Sequence, residues 1–407
     1  MTTAIDTGKP ITAVPPKETS KRLLSVDAFR ALTMLCMIFI NDLSGVKGIP
    51  YWMDHAKRME DRMGFADTIF PAFLFIVGLS IPLAIDRMRQ KGWSPGAISF
   101  HILSRSLALL AMGFFHVNLE SYSSAAVLPG YVWEILITLA FFLIWLDYPD
   151  AMAKAKHDLL TGTGWAILVA MAALYVGGDR HDASTHGMQP EWWGILGIIG
   201  WSYLVCAFVY FLVKGNFTGV IIAFLAFFGF NVIDHGFHLQ INLIGLYDGS
   251  SISLVMAGMV MSLWYARLIR KGYNANLWLM LFIAGCAGIL GGLLIRPYTE
   301  GISKIRATSS WVLICTGISI LVFEIMVYLV DFKGKKSWFS IIWPAGTATL
   351  TCYLIPYFQV GFYDMFHFHY PEFLNYGWGG FFRSWAVAFI VVIIGGFLER
   401  RKIKLKI

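Results

Sequence analysis

Long apolar runs separated by short polar segments are the main feature of the sequence. A helix needs roughly 20 mostly apolar residues to cross a bilayer, and about twelve windows of that length occur in the chain. A spanning segment must satisfy its backbone hydrogen bonds internally, so the fold is predicted to be an all-α polytopic membrane bundle. The predicted spans lie near residues 30–48, 65–86, 99–118, 131–147, 158–177, 192–213, 217–233, 251–268, 275–295, 308–330, 338–358 and 379–398.

The composition supports a membrane protein. Of 407 residues, 57% are hydrophobic and only 14% are charged, whereas soluble domains carry about 25% charged residues. This excludes an ordinary soluble enzyme, which would expose large apolar patches. The net charge of +7 does not indicate a nucleic-acid partner, because the Lys and Arg residues form short clusters between apolar runs. That distribution is typical of membrane topology signals.

The distribution of cations predicts an orientation. Residues 1–20 are polar and contain three prolines, and they are interpreted as a flexible cytoplasmic tail before a membrane domain over residues 21–407. With twelve spans, both termini are cytoplasmic and most cations lie on the inner side, including the cluster at Arg87, Arg89 and Lys91. The expected location is the cytoplasmic (inner) membrane, with the lipid bilayer as partner.

Metal binding is not predicted. The five cysteines lie within predicted spans and form no C-x-x-C pair, so neither a disulfide framework nor a thiolate site is indicated. Two histidine pairs, His235/His238 and His367/His369, have the spacing of metal ligands, but no strong third-ligand motif lies near them.

The most unusual polar residues surround the first two spans. Asn41 and Asp42 end the first span, His55 lies in the short connection, and Asp67 opens the second span. Polar and ionisable groups near membrane depth are costly, so each is a functional hypothesis. This hairpin is therefore the predicted site.

The same stretch resembles the heparan-alpha-glucosaminide N-acetyltransferase family of membrane acyltransferases. The similar patterns are R-L-x-S-V-D-x-F-R from Arg22 to Arg30, then Asn41 and His55, then D-x-x-F-P-x-F-L-F-I-x-G-x-S-I from Asp67 to Ile81. A second, weaker patch covers residues 302–310 and 331–334. The chain departs from the family pattern at Ala31 and Glu134, and its sixth and seventh spans resemble an insertion into a ten-helix core.

The resemblance implies transfer of an acetyl group from cytoplasmic acetyl-CoA to the amino group of an extracytoplasmic glucosamine-type sugar or glycan. The phosphates of the donor require cations. Arg30, Arg87 and Arg89 at the inner helix ends and Lys304 in an outer loop are the candidates. The alternative is that the arginines only set topology and that Lys304 is a solvated loop charge.

Three residues are the catalytic candidates. His55 is predicted to be the general base for direct attack by the amine, or else to carry the acetyl group itself. Asn41 can donate to the thioester oxygen as charge develops, or it forms an interhelical hydrogen bond. Asp67 orients His55 or holds the acceptor ammonium, or it caps the second span.

Two alternative functions remain open on the sequence alone. The first is O-acetylation of a surface glycan by the same architecture. The second is secondary transport of sugars, although the inverted repeats common in transporters are not found. The sequence leaves homo-oligomer formation open.

Overall fold

A computed structural model describes residues 23–178, 185–239, 241, 245, 247–270 and 272–407. The predicted tail at residues 1–20 and Arg22 lie outside the described residues. The described chain is an all-α membrane bundle, and its only paired strands are β1 (Gly177–Gly178) and β2 (Thr185–His186). Its helices are α1 (Leu24–Leu43), α2 (Ala66–Gln90), α3 (Pro95–Leu119), α4 (Gly130–Trp145), α5 (Lys154–Ala173), α6 (Ile195–Leu212), α7 (Phe217–Gly236), α8 (Ser250–Ile269), α9 (Ala275–Ile295), α10 (Ser309–Met326), α11 (Trp343–Thr347), α12 (Thr349–Met365) and α13 (Gly377–Arg400).

The predicted spans coincide with these helices. Within the described residues, nine helices are long and apolar enough to cross a membrane. The other three predicted positions hold α4, which has 16 residues, α12, which has 17, and α5, whose first turns carry charges. The prediction of a polytopic helical bundle is therefore confirmed, and of these three helices α4 and α12 are shorter than the nine while α5 is more polar at its start.

The eleventh predicted span is not one continuous helix. After α10, a π-helical turn (Val327–Phe332) and a 3-10 turn (Lys336–Phe339) precede the short α11. Ala348, with φ −121° and ψ 44°, then separates α11 from α12. Proline at the start of α11 suits a helix N-terminus, because its missing N–H has no partner there. The apolar run is continuous, but the backbone changes direction within it.

The bundle has two ends, which we name after residues in α1 and in the loop that follows it. The His55 end holds the C-terminus of α1, the N-terminus of α2 and the C-terminus of α3. At the Arg30 end, Glu399 of α13 accepts a hydrogen bond from Thr347, next to the α11 residue Gly346, whose carbonyl accepts from Arg30. Helix α1 thus begins and α13 ends at the same end of the bundle.

Helix α2 is held against α8 by a close crossing of backbones. A Cβ atom on Gly78 would lie 1.9 Å from the Val255 carbonyl oxygen, and one on Gly258 would lie 2.0 Å from the Phe75 carbonyl oxygen. Only glycine fits at these two positions. Small residues at membrane-helix crossings allow such close packing, and here the crossing fixes the helix that carries Asp67.

Helix α1 is the most deeply buried of the nine apolar helices. At its start, the backbone N–H of Ser25 donates to the Asp331 carboxylate (3.3 Å). At its end, Asp42 accepts from Arg383 Nη2 (2.9 Å) and from the Ser384 hydroxyl (2.6 Å) of α13. Both ends of α1 are therefore anchored, and Asn41 sits one residue before the second anchor.

Candidate active site

His55 and Asp67 form a direct pair at the His55 end. The Nδ1 atom of His55 lies 2.6 Å from Oδ1 of Asp67. The His55 side chain is 36% exposed, whereas that of Asp67 is fully buried. The loop between α1 and α2 therefore leaves the imidazole partly exposed to solvent, and the buried Asp67 carboxylate holds it by a hydrogen bond.

The Asp67 carboxylate organises the loop around itself. Its Oδ2 atom accepts from the backbone N–H groups of Ala56 and Gly64, each at 3.0 Å. Its backbone carbonyl accepts from Trp311 Nε1 of α10 at 3.1 Å. Each of these contacts fixes the position of the carboxylate relative to His55. The capping alternative does not match this geometry, since the residue preceding α2 is Phe65 and no side chain caps this helix start.

This geometry determines which ring nitrogen of His55 can act as a base. An ionised carboxylate can only accept hydrogen bonds. Nδ1 of His55 is therefore the protonated ring nitrogen, and it donates a hydrogen bond to Asp67. In the neutral imidazole the other nitrogen, Nε2, is then an acceptor. Nε2 has no hydrogen-bond partner among the described residues. It is therefore available to take a proton from a bound substrate.

Lys304 lies beside this pair although it is distant in sequence. Its Nζ atom is 3.4 Å from His55 Nδ1. The loop that carries it is pinned by Asp61, which accepts from Arg296 Nε (2.9 Å) and from the Ile302 N–H (2.6 Å). Burial lowers the pKa of the Lys304 ammonium, and attraction by Asp67 opposes this shift. A cation is thus held next to the candidate base.

The two sequence patches that resemble the family meet in the structure. Lys304 of the second patch contacts His55 of the first, and Asp331 of the second contacts Ser25 of the first. Thr308 shapes the intervening loop, because its hydroxyl accepts from the Ser303 N–H at 3.0 Å. Both patches therefore contribute to one arrangement around α1 and α2.

A cavity of about 1150 Å³ opens at the His55 end. Single drug-sized ligands occupy pockets of roughly 300–1,000 Å³, so this cavity is slightly larger than one such ligand requires. Asn41 is exposed to it, and its side-chain amide has no hydrogen-bond partner among the described residues. The polar residues that line it are Asn41, His55, Arg58, His116, Glu120, Asp234, His235, His238, Tyr247, Asp248, Ser250, Ser251, Glu300, Lys304, Arg306, Tyr353 and Tyr357.

One wall of the cavity is rich in carboxylates. Glu300 lies 3.2 Å from Nδ1 of His235 and 2.5 Å from Nδ1 of His238. Burial raises the pKa of Glu300, but hydrogen bonds from His238 and His235 outweigh this effect and lower the pKa below its ordinary 4.5. The histidine pair that the sequence singled out by its spacing thus faces a carboxylate. Within the described residues, no group of three or more His, Cys, Asp or Glu could hold a metal ion.

Two loop residues in this wall have left-handed backbone conformations that are uncommon outside glycine. They are His238, with φ 53°, and Glu300, with φ 59°. Such residues cost about 1–3 kcal/mol each and cluster at functional sites. Their hydrogen bond to each other holds the two loops together.

The three arginines predicted to bind the donor do not line this cavity. Arg30 donates to the Ser80 hydroxyl (2.7 Å) and to the Gly346 carbonyl (3.3 Å), which ties α1 to α2 and α11. Arg89 donates to Asp86 (3.4 Å) and to the Phe211 carbonyl (3.2 Å). Arg87 ends α2 at the same Arg30 end. The structure therefore brings together Asn41, His55, Asp67 and Lys304, and it places the arginines at the opposite end.

Sequence reasoning missed several polar residues of the cavity. His116, Tyr353 and Tyr357 lie inside apolar helices, where they have no distinctive spacing. Glu300 and Asp248 lie in short loops that the hydropathy pattern treats as connections. The two histidines at 235 and 238 were the only signal for this wall, and the carboxylate that pairs with them is more than 60 residues away.

The fold and this arrangement define a class: a polytopic helical membrane protein with a histidine–carboxylate pair at the mouth of a large cavity. A family model described as a domain of unknown function (DUF5009) matches residues 22–187. This segment contains Asn41, His55 and Asp67.

Two named proteins are similar to part of the chain. Heparan-alpha-glucosaminide N-acetyltransferase of Homo sapiens is 36% identical over 109 residues, which is 26% of this chain and 15% of the human protein. The Mus musculus protein of the same name is 31% identical over 147 residues, 33% of this chain and 21% of the mouse protein. The chain thus matches about a fifth or less of the length of these curated relatives. The family-level resemblance that the motifs indicate is confirmed.

Proposed function

We propose that this protein is a membrane acetyltransferase that moves an acetyl group from acetyl-CoA to the amino group of a glucosamine-type sugar or glycan. The observation that carries the proposal is the His55–Asp67 pair, with its free Nε2 and the neighbouring Asn41 amide, at one cavity. The partial similarity to two named N-acetyltransferases supports the reaction class.

The proposed reaction assigns one task to each residue. His55 Nε2 accepts the proton that the amine loses as its nitrogen attacks the thioester carbonyl carbon. The Asn41 amide donates a hydrogen bond to the carbonyl oxygen of the thioester while that oxygen carries negative charge. When the carbon–sulfur bond breaks, the imidazolium returns the proton to the departing thiolate. Asp67 keeps Nδ1 protonated and stabilises the imidazolium throughout.

We favour direct attack within a ternary complex over an acetyl-histidine intermediate. The cavity of about 1150 Å³ has room for the acetyl end of the donor beside an amino sugar. His55 is also 36% exposed on its side chain, and an acetyl-imidazole in a wet site would be lost to water. Rapid mixing with acetyl-CoA alone tests this choice, since a burst of free CoA would support the acetyl-histidine route.

The proposal includes a direction across the membrane. The donor enters from the cytoplasmic side at the Arg30 end, and the acceptor is extracytoplasmic at the His55 end. Two features support this orientation: the cation clusters of the predicted inner loops, and the location of the start of α1 and the end of α13 at one end. Arg30, Arg87 and Arg89 remain the proposed contacts of the donor phosphates, and the inner membrane remains the proposed location.

The test is acetyl transfer by purified protein in lipid nanodiscs, with labelled acetyl-CoA and glucosamine. We expect N-acetylglucosamine as product and a loss of about 10²–10⁴-fold in kcat for His55→Ala, the usual contribution of a general base. His369→Ala is the matched control, because His369 is an exposed histidine outside the cavity lining. Equal rates for wild type and His55→Ala would overturn the site assignment.

The chemistry of the product separates the alternative functions. An alkali-labile ester in place of an amide would indicate O-acetylation. Sugar movement into sealed vesicles without acetyl-CoA, and with no acetylated product, would indicate transport.

A further inference from the structure

His116 is a buried histidine whose polar atoms are not used by the fold. It lies three residues before the end of α3, is 8% exposed and lines the cavity. Neither of its ring nitrogens has a hydrogen-bond partner among the described residues. An unpaired buried polar group costs about 1–3 kcal/mol. His116 lines the cavity while its two nitrogens, which have almost no solvent-accessible area, lack partners, and a ligand that repacks this wall can supply them.

Aromatic neighbours hold the imidazole rigidly. Its ring stacks on that of Tyr357, with centroids 4.0 Å apart and an interplanar angle of 5°. Phe141 contacts it edge-on at 5.4 Å. The Tyr357 hydroxyl lies 3.1 Å from that of Tyr353, one turn earlier on α12. These contacts hold the plane of the His116 ring against α4 and α12.

The cavity lining continues from His116 along α1 and α12. Tyr353 lies one turn into α12, which begins at the Arg30 end, and Met37 of α1 lines the cavity with it. Met37 is seven residues after Arg30, which corresponds to about 10 Å along a helix. Met37 and Tyr353 are therefore the lining residues on the Arg30 side, and His116, in the last turn of α3 near the His55 end, lies 6.2 Å from Tyr353 between ring centroids.

The chemistry selects the ligand group. A neutral imidazole offers one donor and one acceptor, and the tyrosine pair adds hydroxyl groups. An amide, with one N–H and one carbonyl, complements this set. Apolar residues such as Met37, Ile40 and Leu196 line the same cavity, so an uncharged chain fits better than a charged group.

We propose that His116, stacked on Tyr357, binds an amide of the pantetheine arm of the acyl donor and directs the thioester toward His55. This inference rests on the proposed function, because it takes acetyl-CoA as the donor. It makes His116 a donor-binding residue that does not touch the reacting carbonyl.

The experiment compares donors that do and do not contain the arm. His116→Phe keeps the aromatic stack and removes both nitrogens, and His101→Phe on the same helix is the matched control outside the cavity lining. For His116→Phe, we expect kcat/KM to fall about tenfold with S-acetylpantetheine, the loss of about one hydrogen bond. With ethyl thioacetate, which has no amide, we expect less than a twofold change.

A binding measurement separates this inference from the proposed function. Pantetheine alone should raise the Tm of wild type and of His101→Phe, and raise it less for His116→Phe. That pattern supports the inference even if no sugar is acetylated. The inference is overturned if pantetheine gives all three proteins the same shift or none. Equal losses with both thioesters, or a change confined to the KM of the acceptor, also overturn it.

Discussion

The two ends of the bundle use their charged residues differently. At the Arg30 end, Arg30 and Arg89 donate to neighbouring helices through Ser80, Gly346 and Phe211. At the His55 end, His55 and Lys304 face a cavity, and among the described residues the buried Asp67 is their charged partner. At the Arg30 end a donor phosphate would have to add to hydrogen bonds that already join helices, whereas at the His55 end the charged groups face an open cavity.

Two aspartates show the same contrast within one end. The Asp42 carboxylate is saturated by Arg383 and Ser384 of α13 and does not line the cavity. The Asp67 carboxylate supports the candidate base and the loop that carries it. Both residues flank the same connection, so position along the sequence does not distinguish structural from chemical roles. The hydrogen-bond partners do.

The largest effect is expected from Asp67→Asn. An amide can donate to Nδ1 of His55, which moves the imidazole proton to Nε2 and removes the base. In this orientation the amide oxygen replaces Oδ2 and still accepts from the Ala56 and Gly64 N–H groups, so the loop keeps these two hydrogen bonds. We expect kcat for acetyl transfer to fall about 10³-fold, within the range for general-base catalysis.

Asp54→Asn is the control for this change. Asp54 is exposed and its carboxylate accepts from the His55 backbone N–H at 2.7 Å, which an asparagine oxygen can also do. Transfer rates should stay within about threefold of wild type for a substitution that leaves one acceptor in place. If Asp67→Asn loses no more activity than Asp54→Asn, Asp67 has no chemical role.

A smaller loss is expected from Asn41→Ala. Removal of one donor to a developing oxyanion lowers kcat by about 10²–10³-fold and leaves ground-state binding largely intact. We expect kcat to fall while the KM for acetyl-CoA stays near the wild-type value. Ser44→Ala, one turn further and exposed, should change neither constant. A rise in KM with unchanged kcat would assign Asn41 to binding.

Asp42→Asn should lower stability and leave the chemistry intact. Its ion pair with Arg383 has side chains only 10% and 17% exposed, and breaking such a buried pair costs about 3 kcal/mol. We expect a clearly lower Tm in detergent with near-normal kcat per folded protein. Asp147→Asn, whose exposed partner Lys406 lies at the other end, should cost less than about 1 kcal/mol. A loss of kcat at unchanged Tm would contradict the structural role.

The smallest effect concerns the carboxylate wall and pH. The pKa of Glu300 is lowered in the folded protein, so its ionised form contributes stability above its ordinary pKa, and this contribution is lost as pH falls through the folded value. Wild type should exceed Glu300→Gln in Tm by a few degrees above about pH 5. The difference should shrink below about pH 4.5. A difference that grows on acidification would show that Glu300 is not the stabilising group.

Much of the fold could be predicted from the sequence because lipid imposes a simple rule. Apolar runs of membrane length must be helical, and the predicted spans near 30–48, 192–213 and 251–268 overlap α1, α6 and α8. The break at Ala348 could not be predicted, because hydropathy indicates which segments are apolar but not where the backbone of a segment leaves the helical conformation. The close approach of Gly78 to Gly258 depends on the pairing of α2 with α8, which neither segment encodes alone.

The candidate site was predictable where it is local. Asn41, His55 and Asp67 lie within one hairpin. Polar groups near membrane depth have a high free-energy cost, which is why the sequence singled these residues out. The position of Lys304 was not predictable, because its contact with His55 joins residues 249 positions apart. The unpaired state of His116 was not predictable for a different reason. The sequence shows a single histidine in an apolar helix, but not whether its ring nitrogens have hydrogen-bond partners.

Transfer across a sealed membrane tests the central claim most directly. Purified protein is reconstituted into vesicles with glucosamine trapped inside, and labelled acetyl-CoA is added outside. If the donor reaches His55 through the bundle, N-acetylglucosamine forms inside the vesicles from the molecules whose Arg30 end faces outward, and none forms with His55→Ala. Product that forms only when donor and acceptor share one compartment would contradict a donor path through the bundle to His55.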